Sequence, residues 1–403
     1  MKKRILFVDD EPLLLQGIQR MLHGMREHWD MDFAEGGEKA KEHLAQAKYD
    51  VVVTDMKMPG MNGAEVLDYV RQHSPGTIRV VLSGHAEQSV AVKCVGIAHR
   101  YYAKPCDGDT LKQMVTRLTD TAFTIQNEHL MTLVAQLKHL PSIPAIYSKV
   151  VELLHDPNSS MDEVGALIGS DMAMTAKILQ IVNSSFFGLA RHVARPSDAA
   201  GYLGIDTLKS LILATNVFSQ YETKMPNGYS AVKAAEHSQQ VGASARAIAK
   251  AEDAPRSVVD DAFVAGLLHD VGELVLASSM PEEFERAAAE SIESGFPAEM
   301  EIFGTTHSEV GAYLLGLWGL PARVVEAISL HHLPGISPAL EFSPLTAVHV
   351  AECLVAERAP APSGNPVTSP IDMEYLAKIG LTDRLPTWRI AVDEMLTGPS
   401  GQN

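Results

Sequence analysis

Cysteine is scarce in this chain of 403 residues. Cys94, Cys106 and Cys353 are an odd number, and they show none of the short spacings of structural zinc sites. A disulfide framework and a cysteine-based metal site are therefore not expected. Thiols of this kind suit a reducing compartment, so we expect a cytoplasmic protein whose cores form without cross-links.

The chain also lacks runs of five or more Lys or Arg residues and a long apolar segment at its start. It has 50 acidic against 33 basic residues, a formal net charge of −17 that repels the phosphate backbone of nucleic acids. The start, MKKRILFVDD, has four apolar residues before paired aspartates, too few for a signal peptide or a membrane span. Direct nucleic-acid binding and membrane insertion are not expected.

Apolar residues are plentiful, at 46% of the sequence against 21% charged residues, which is enough for ordinary globular cores. At roughly 100–200 residues per domain, the length predicts two or three folded units. The patterns described below predict a first domain over residues 1–122, a helical linker over 123–139, a second domain over 140–340 and a helical extension over 341–403. The extension includes a Pro- and Ser-rich loop, APAPSGNPVTSP.

The first 120 residues alternate between short apolar runs and helix-like stretches. Runs at residues 4–9, 31–34, 50–54, 78–83 and 101–103 predict five strands, each followed by a helix. A run as apolar as VVVTD indicates a strand that is buried on both faces, as in parallel sheets covered by helices. The predicted fold class is therefore α/β, a doubly wound, five-stranded parallel sheet of the flavodoxin-like type.

Polar side chains follow the carboxyl ends of these strands. They are Asp9, Asp10, Asp55, Ser83 and Lys104. In doubly wound sheets the chemistry lies at this edge, so we expect the five groups to share one crevice. Carboxylates suit Mg²⁺, a remaining carboxylate can act as nucleophile on phosphorus, and an ammonium can neutralise phosphoryl charge. Each aspartate taken alone is also compatible with a helix cap or a turn.

The motifs FVDDE, TDMKMPGMNG, LSGHA and YYAKP resemble those of receiver domains, and the resemblance covers about 120 residues. It implies that Asp55 accepts a phosphoryl group from a sensor histidine kinase or a phosphotransfer protein. It also implies a Mg²⁺ cofactor. In that site Asp10 is a direct ligand, Asp9 acts largely through water, and Lys57 supplies its backbone carbonyl.

The same resemblance implies three further roles around the phosphoryl group. Lys104 binds the phosphate, Ser83 is the switch hydroxyl and Tyr101 is the switch aromatic residue. An aromatic residue in an edge strand is often only a packing residue, and this alternative for Tyr101 stays open.

Beyond residue 107 the pattern is helical. Residues 110–137 repeat apolar residues at helical spacing without Pro or Gly, which predicts that the last helix of the first domain continues into the linker. Such a helix could transmit a change, pair with a second copy in a homodimer, or simply pack. The segments that follow, including 145–154, 161–168, 172–182, 205–218, 231–251 and 258–276, predict an all-α second domain.

Histidines and acidic residues recur in order through this helical half, and side chains so far apart in sequence meet only in a bundle with one polar centre. They are His237, His269, Asp270, His307, His331, His332 and Glu352. The series resembles the HD superfamily of metal-dependent phosphohydrolases. Over about 200 residues the segments AFVAGLLHDVGELVL and HSEVGAYLLGLWGLPARVVEAISLHHLP resemble HDOD domains more closely.

Two departures from the active cyclic-dinucleotide phosphodiesterases of the HD-GYP group bear on catalysis. Glu273 stands where that group has a phosphate-assisting lysine, and no GYP triplet follows His332. Three alternatives therefore stay open for the cluster: a transition-metal site without turnover, a phosphohydrolase site, and structural histidines. The favoured function is a phosphorelay response regulator whose non-catalytic HDOD domain engages a downstream protein. A gated phosphohydrolase acting on a nucleotide or cyclic dinucleotide is second, and a DNA-binding regulator is least favoured.

Overall fold

The protein is described by a computed structural model, which covers residues 2–83, 97–104, 108–119, 134, 141–142, 144–155, 159–183, 193–202, 219–220, 225–226, 229–294, 298–358 and 370–397. The predicted helix at 205–218 and nearly all of the predicted linker at 123–139 lie outside these residues. The Pro- and Ser-rich loop lies outside them as well, except for its last residue.

The first part of the chain forms a parallel sheet with the strand order β2-β1-β3-β4-β5. The strands are β1 (Lys3–Asp9), β2 (Trp29–Glu35), β3 (Val51–Thr54), β4 (Ile78–Ser83) and β5 (Arg100–Ala103). The described helices of this part are α1 (Pro12–Met21), α2 (Gly37–Gln46), α3 (Gly63–His73) and α4 (Gly108–Thr119). This confirms the predicted fold class, and the predicted strand ends agree with the observed ones within two residues.

Both faces of the sheet are covered, as the apolar strands predict. One face buries Ile5, Phe7 and Val53 against Leu15 of α1 and Leu111 of α4. The opposite face has its own core, formed by the alternate strand residues together with side chains of α2 and α3 (Leu6, Val8, Val52, Ala40, Val66, Leu67 and Val70). Helices on both faces leave the carboxyl ends of the strands as the accessible edge.

The second part is a helical bundle, as predicted. Its described helices are α5 (Pro144–His155), α6 (Met161–Ile168), α7 (Met172–Val182), α8 (Ala231–Ala251), α9 (Arg256–Leu268), α10 (Val271–Ser279), α11 (Pro281–Ser294), α12 (Ala298–Phe303), α13 (His307–Trp318), α14 (Ala322–Leu330), α15 (Pro344–Ala356), α16 (Met373–Lys378) and α17 (Leu385–Thr397). One small parallel strand pair, β6 (Pro141–Ser142) with β7 (Ser219–Gln220), departs from the all-helical prediction. The sequence does not predict it because a strand of two residues is too short to show an alternating pattern.

Two predicted helices are each divided in the structure. The stretch 258–276 breaks at His269 and Asp270, which separate α9 from α10. The predicted helical extension is interrupted between α16 and α17, where Gly380 has a φ of +72° that a continuing helix does not allow. Apolar periodicity continues across both breaks, so the sequence alone joins the helices.

The segment Arg256–Ser279, which includes α9 and α10, is long and apolar enough to cross a membrane by length and composition. The bundle buries 83% of the most apolar 18-residue window of this segment. The apolar character of the segment is therefore explained by core packing, because a bundle's central helices are apolar on every side.

Candidate functional site

The first candidate site lies at the carboxyl ends of β1 and β3. The Nζ atom of Lys104 lies 2.6 Å from Oδ2 of Asp9 and 3.3 Å from Oδ1 of Asp55. Asp9 is almost fully buried, and its other oxygen accepts a hydrogen bond from the backbone N–H of Glu11. Asp9 and Asp55, two of the side chains predicted from the strand ends, thus meet around the ammonium group of a third, Lys104.

Asp10 completes a set of three carboxylates. One oxygen from each of Asp9, Asp10 and Asp55 lies within 4.8 Å of the others, a spacing that can hold a divalent cation. Burial raises the pKa of Asp55 above its usual value, while the neighbouring Lys104 opposes the rise. A partly buried carboxylate beside a single cation suits a nucleophile that a metal ion and a lysine together keep ionised.

The other residues predicted for this site fall around it. Lys57 lies in the loop between β3 and α3, with its side chain in solvent. Ser83 is the last residue of β4, and Tyr101 lies in β5, paired in register with Val81. The side chains of Ser83 and Tyr101 lie outside the described part, so their switch roles stay predictions.

The second candidate site is the set of seven polar residues predicted in the helical half, here called the histidine cluster, and the structure brings them together. They come from five places in the bundle: α8 (His237), the break between α9 and α10 (His269 and Asp270), the first residue of α13 (His307), the end of α14 (His331 and His332) and α15 (Glu352). The break between α9 and α10 therefore places the Asp270 side chain inside the cluster.

Four of these residues form group A, defined as His237, His269, Asp270 and Glu352. The Nε2 atom of His269 lies 2.6 Å from Oε2 of Glu352 and 3.0 Å from Oδ2 of Asp270. His237 approaches the same Glu352 oxygen at 3.4 Å. Two imidazoles and two carboxylates thus converge on one point, a donor set that suits a transition metal.

Three histidines form group B, defined as His307, His331 and His332. The Nε2 atoms of His307 and His332 are 3.3 Å apart. Asp270 lies between the groups: its Oδ2 atom faces group A, and its Oδ1 atom lies 3.6 Å from Nε2 of His307 and 3.9 Å from Nε2 of His331. One carboxylate is therefore placed to serve two adjacent metal positions.

Hydrogen bonds to the backbone fix the orientation of two imidazoles. The Nδ1 atom of His269 pairs with the Gly266 carbonyl at 2.8 Å, and that of His331 with the Ile328 carbonyl at 2.7 Å. A carbonyl only accepts, so each Nδ1 carries a proton and each Nε2 is left to face the cluster. Both Nε2 atoms and Oε2 of Glu352 are buried without a hydrogen bond in the described part of the chain. Buried atoms without hydrogen bonds fit metal ligands, because a metal ion would satisfy them.

Two acidic residues next to group B were not predicted as partners of the cluster. Both oxygens of Glu299 in α12 lie 2.9 Å from Nδ1 of His307, and one accepts from the His307 backbone N–H at 2.8 Å. Glu273 is buried beside Glu299 and His307, and one of its carboxylate oxygens lies within 4.8 Å of a possible ligand atom of each. Glu299 lies eight residues before His307 on another helix, and no spacing in the sequence points to it.

Burial and neighbouring charges shift the pKa values around group B in different directions. Burial, strengthened by the negative charge of Asp270, raises the pKa of Glu273 to about 8. Burial by itself lowers the pKa of His307, but the Glu299 carboxylate outweighs it and raises that pKa to about 10. Burial and the charge of His307 lower the pKa of His332 to about 4. At neutral pH His332 is therefore neutral, whereas a metal ion bound by Nε2 of His307 would have to displace a proton.

A close backbone approach holds the two groups together. Gly272 of α10 lies against the start of α13, and a Cβ atom added to it would lie 1.9 Å from the carbonyl oxygen of His307. At that first turn of α13, Thr306 and Glu309 form a capping box that fixes the position of His307. The spacing between Asp270 and His307 therefore depends on a residue without a side chain.

Comparisons with known proteins match both parts of the chain. Residues 5–116 match the response regulator receiver domain, and residues 140–334 match the HDOD domain. An uncharacterized protein of Treponema pallidum (strain Nichols) is 24% identical over 261 residues, which are 63% of this chain and 49% of that protein. The response regulator protein PilR of Pseudomonas aeruginosa is 27% identical over 127 residues, or 31% of this chain and 27% of PilR. The chain spans half or less of these curated relatives.

Among solved structures, the MmoQ response regulator from Methylococcus capsulatus str. Bath is similar to this chain. The two are 23% identical, and the alignment covers 62% of this chain and 98% of that one, with a TM-score of 0.47. A receiver domain of an HD domain-containing protein from Pseudomonas fluorescens Pf-5 is 26% identical over 30% of this chain, with a TM-score of 0.29.

Proposed function

The chain is a two-component response regulator that joins a receiver domain to an HDOD domain, and we propose that phosphorylation of Asp55 controls the output of the HDOD half. The observation that carries the proposal is the position of Lys104, whose ammonium group lies between Asp9 and Asp55. A carboxylate, a cation-binding acidic set and a lysine at one strand edge are the groups that phosphoryl transfer to an aspartate requires.

In the proposed reaction, a carboxylate oxygen of Asp55 forms a bond to phosphorus while the P–N bond of a phosphohistidine donor breaks. The donor imidazole keeps the electron pair and takes up a proton. A Mg²⁺ ion held by Asp9, Asp10, Asp55 and the Lys57 carbonyl would offset the charge of the phosphoryl oxygens. Lys104 contributes a further positive charge, and Ser83 and Tyr101 respond to the acyl phosphate.

The donor in this proposal is a sensor histidine kinase or a phosphotransfer protein, and the setting is the cytoplasm. We propose that the HDOD half passes the signal to a downstream protein. A homodimer formed through the helical linker is compatible with this output, whereas direct contact with nucleic acid is disfavoured by the net charge of −17.

We further propose that the histidine cluster binds one or two transition-metal ions. Support comes from the buried Nε2 atoms of His269 and His331, which face the cluster without a hydrogen bond in the described residues. Imidazoles with carboxylates suit Mn, Fe, Ni or Zn rather than Mg. In this assignment group A and group B each hold an ion, and Asp270 bridges them.

A second candidate function is a phosphohydrolase gated by phosphorylation, acting on a nucleotide or a cyclic dinucleotide. The two adjacent ligand groups that share Asp270 favour it, because paired metal ions can stabilise both the attacking and the leaving oxygen of a phosphate ester. Glu273 stands against it, since a carboxyl group next to group B offers no positive charge to an anionic substrate, whether it is protonated or ionised. We therefore keep the non-catalytic output as the leading proposal.

Incubation with acetyl phosphate and Mg²⁺ tests the receiver assignment. The wild-type chain is expected to take up one phosphoryl group, and Asp55→Asn none, because the amide keeps the shape but is not a nucleophile. Asp50→Asn, which changes an aspartate away from the strand-end site, is the matched control. Wild-type uptake by Asp55→Asn would overturn the assignment.

Elemental analysis of protein purified without chelators tests the metal assignment. We expect between one and two transition-metal ions per chain, and a loss of most of this metal in Asp270→Asn, where the shared ligand is weakened. Metal-free wild-type protein that also fails to take up Mn²⁺ on dialysis would remove the metal centre from the proposal. Phosphodiesterase activity of the metal-loaded chain would instead favour the second candidate.

A further inference from the structure

Helix α13 spans the distance between the histidine cluster and the receiver domain. His307, its first residue, belongs to group B. Gly316, in its last turn, and Gly319, which caps it, both contact Arg100 of the receiver domain. At 1.5 Å per residue the helix is about 18 Å long, so it reaches from the histidine cluster to the receiver domain.

The Arg100 contact is specific. Its Nη2 atom donates a hydrogen bond of 2.8 Å to the carbonyl oxygen of Gly316. The same carbonyl oxygen accepts from the backbone N–H of Gly319 at 3.1 Å, and the partial negative charge at the end of a helix favours a cation as the second donor. Gly319 adopts φ +92°, and a Cβ atom added to it would lie 2.5 Å from Nη1 of Arg100. The guanidinium group therefore occupies space that any side chain at Gly319 would take.

Two neighbouring contacts surround this one. The side-chain amide of Gln180 in α7 donates to the backbone carbonyl of His99 at 3.5 Å. Beside it on the same helix, the buried ammonium of Lys177 lies 4.7 Å above the ring centre of Trp318, the last residue of α13. The end of α13 is thus held between α7 and the start of β5.

Strand β5 connects this contact to the phosphorylation site. Arg100 is its first residue, and Lys104, one residue beyond its end, contacts both Asp9 and Asp55. β5 pairs with β4 from Val80 to Ser83, so the strand is fixed on one side only. A phosphoryl group on Asp55 would add negative charge that attracts the Lys104 ammonium. Only the four residues of β5 separate Lys104 from the Arg100 contact, so a shift of Lys104 can move Arg100.

We propose that β5 and α13 couple the two sites reciprocally, so that phosphorylation of Asp55 changes the metal affinity of the histidine cluster through the Arg100 contact. The inference rests on the proposed function, which supplies both ligands. With Asp55 unmodified, Arg100 is docked and the cluster is assembled. Displacement of Arg100 on phosphorylation therefore loosens α13, moves His307 and lowers metal affinity. Metal binding must in turn lower the affinity for a ligand that mimics the phosphoryl group by the same factor, because binding free energies are linked.

The test uses the full chain, stripped of metal and kept in excess Mg²⁺ so that Mn²⁺ reports on the histidine cluster. Mn²⁺ affinity is measured with and without beryllofluoride, which mimics the phosphoryl group on Asp55. In the wild type we expect beryllofluoride to lower Mn²⁺ affinity at least fivefold, roughly the lower end of measured coupling. Mn²⁺ is expected to lower beryllofluoride affinity by the same factor.

Arg100→Ala and Gly319→Ala each disrupt the contact, one from each side. In both variants we expect the change in Mn²⁺ affinity and the change in beryllofluoride affinity to fall below about twofold, the level seen for sites that do not interact. Arg71→Ala, which removes a receiver arginine paired with Asp68 in its own helix, is expected to keep the wild-type response. Thermal unfolding checks that all three variants are folded.

The outcomes separate the inference from the proposal beneath it. A fivefold response that survives in folded Arg100→Ala would overturn the inference and leave the proposed function intact. Failure of the wild type to bind Mn²⁺ at all, with Asp270→Asn indistinguishable from it, would overturn the metal centre and the inference together. Failure of the wild type to bind beryllofluoride would overturn the receiver assignment and the inference together.

Discussion

The Nε2 atom of His269 and the Oε2 atom of Glu352 lie 2.6 Å apart, yet neither makes a hydrogen bond in the described part of the chain. The Nδ1 proton of His269 is already committed to the Gly266 carbonyl. Two lone pairs that face each other at this distance repel unless a cation or a proton lies near both. The pair therefore needs a shared proton or metal ion, and although burial lowers the pKa of His269, the carboxylates of Asp270 and Glu352 outweigh it and raise that pKa.

Chelation should destabilise the protein. A ligand present at 100 to 1,000 times its Kd stabilises the folded state by about 3–4 kcal/mol, and its removal reverses that gain. We expect the melting temperature of the helical half to fall by several degrees after treatment with a chelator and to recover with Mn²⁺. Calorimetry of the wild type and Asp270→Asn measures this. Equal melting curves with and without chelator in the wild type would contradict it.

Glu299→Gln should weaken metal binding without removing a direct ligand. The carboxylate accepts the Nδ1 proton of His307 and so directs Nε2 of that residue at group B. Loss of such an orienting partner lowers metal affinity by about 10–100-fold. Competition with a coloured chelator provides the measurement. Glu301→Gln, an exposed change in the same helix, is the control and should leave affinity unchanged. The hypothesis fails if both variants bind Mn²⁺ equally.

Lys177→Met should stabilise the protein below neutral pH and make little difference in strong base. Burial lowers the pKa of Lys177 from 10.5 to about 7, so the unfolded chain binds more protons between those values. Wild-type stability therefore rises with pH from about 7 to 10.5, and folding below pH 7 carries the cost of a buried charge, on the order of 4 kcal/mol. Methionine removes that cost while it preserves the contact with Trp318.

Urea unfolding at pH 6 and pH 9 provides the comparison for Lys177. The difference in unfolding free energy between the variant and the wild type should shrink as pH rises. Lys250→Met, at an exposed position of α8, should show no such trend. A constant difference across pH would indicate that Lys177 is charged to the same degree in both states.

Lys104→Met should lower the affinity of the receiver domain for beryllofluoride by about tenfold or more, equivalent to about 1.4 kcal/mol. The ammonium group of Lys104 lies 3.3 Å from Oδ1 of Asp55. It can therefore interact directly with a group bound to that carboxylate. Fluorescence titration measures the affinity. Lys48→Met, which removes an exposed ammonium outside the strand-end site, should bind like the wild type. Equal affinities for the two variants would contradict the assigned role.

The sequence predicts the elements and the ligand types well because both leave local signals. Buried parallel strands are apolar throughout, and strand ends share one edge, so the sequence alone groups Asp9, Asp55 and Lys104. The histidine cluster was likewise predicted from the order of its residues. Its division into two groups around Asp270 could not be, because that depends on a helix break inside an apolar run.

Contacts between distant residues left no signal at all. Arg100 and Gly316 are 216 residues apart, and each looks ordinary in its own segment. Lys177 lies in the apolar helix MAMTAKILQIV, where a lone lysine is expected to reach solvent, and only the packing of Trp318 above it shows that it does not. Periodicity describes one element at a time, whereas these residues acquire their roles from the element packed against them.

The missing side chain of Gly272 means that the distance between the two ligand groups is set by contact between two main chains. A single methyl group there would force α10 away from α13 and pull Asp270 from His307, although every ligand would still be present in the sequence. Relatives that retain all seven ligand residues but carry alanine at this position should therefore be read as proteins that have lost the paired site. A substitution at Gly272 can therefore abolish the paired metal site without changing any atom that would bind the ion.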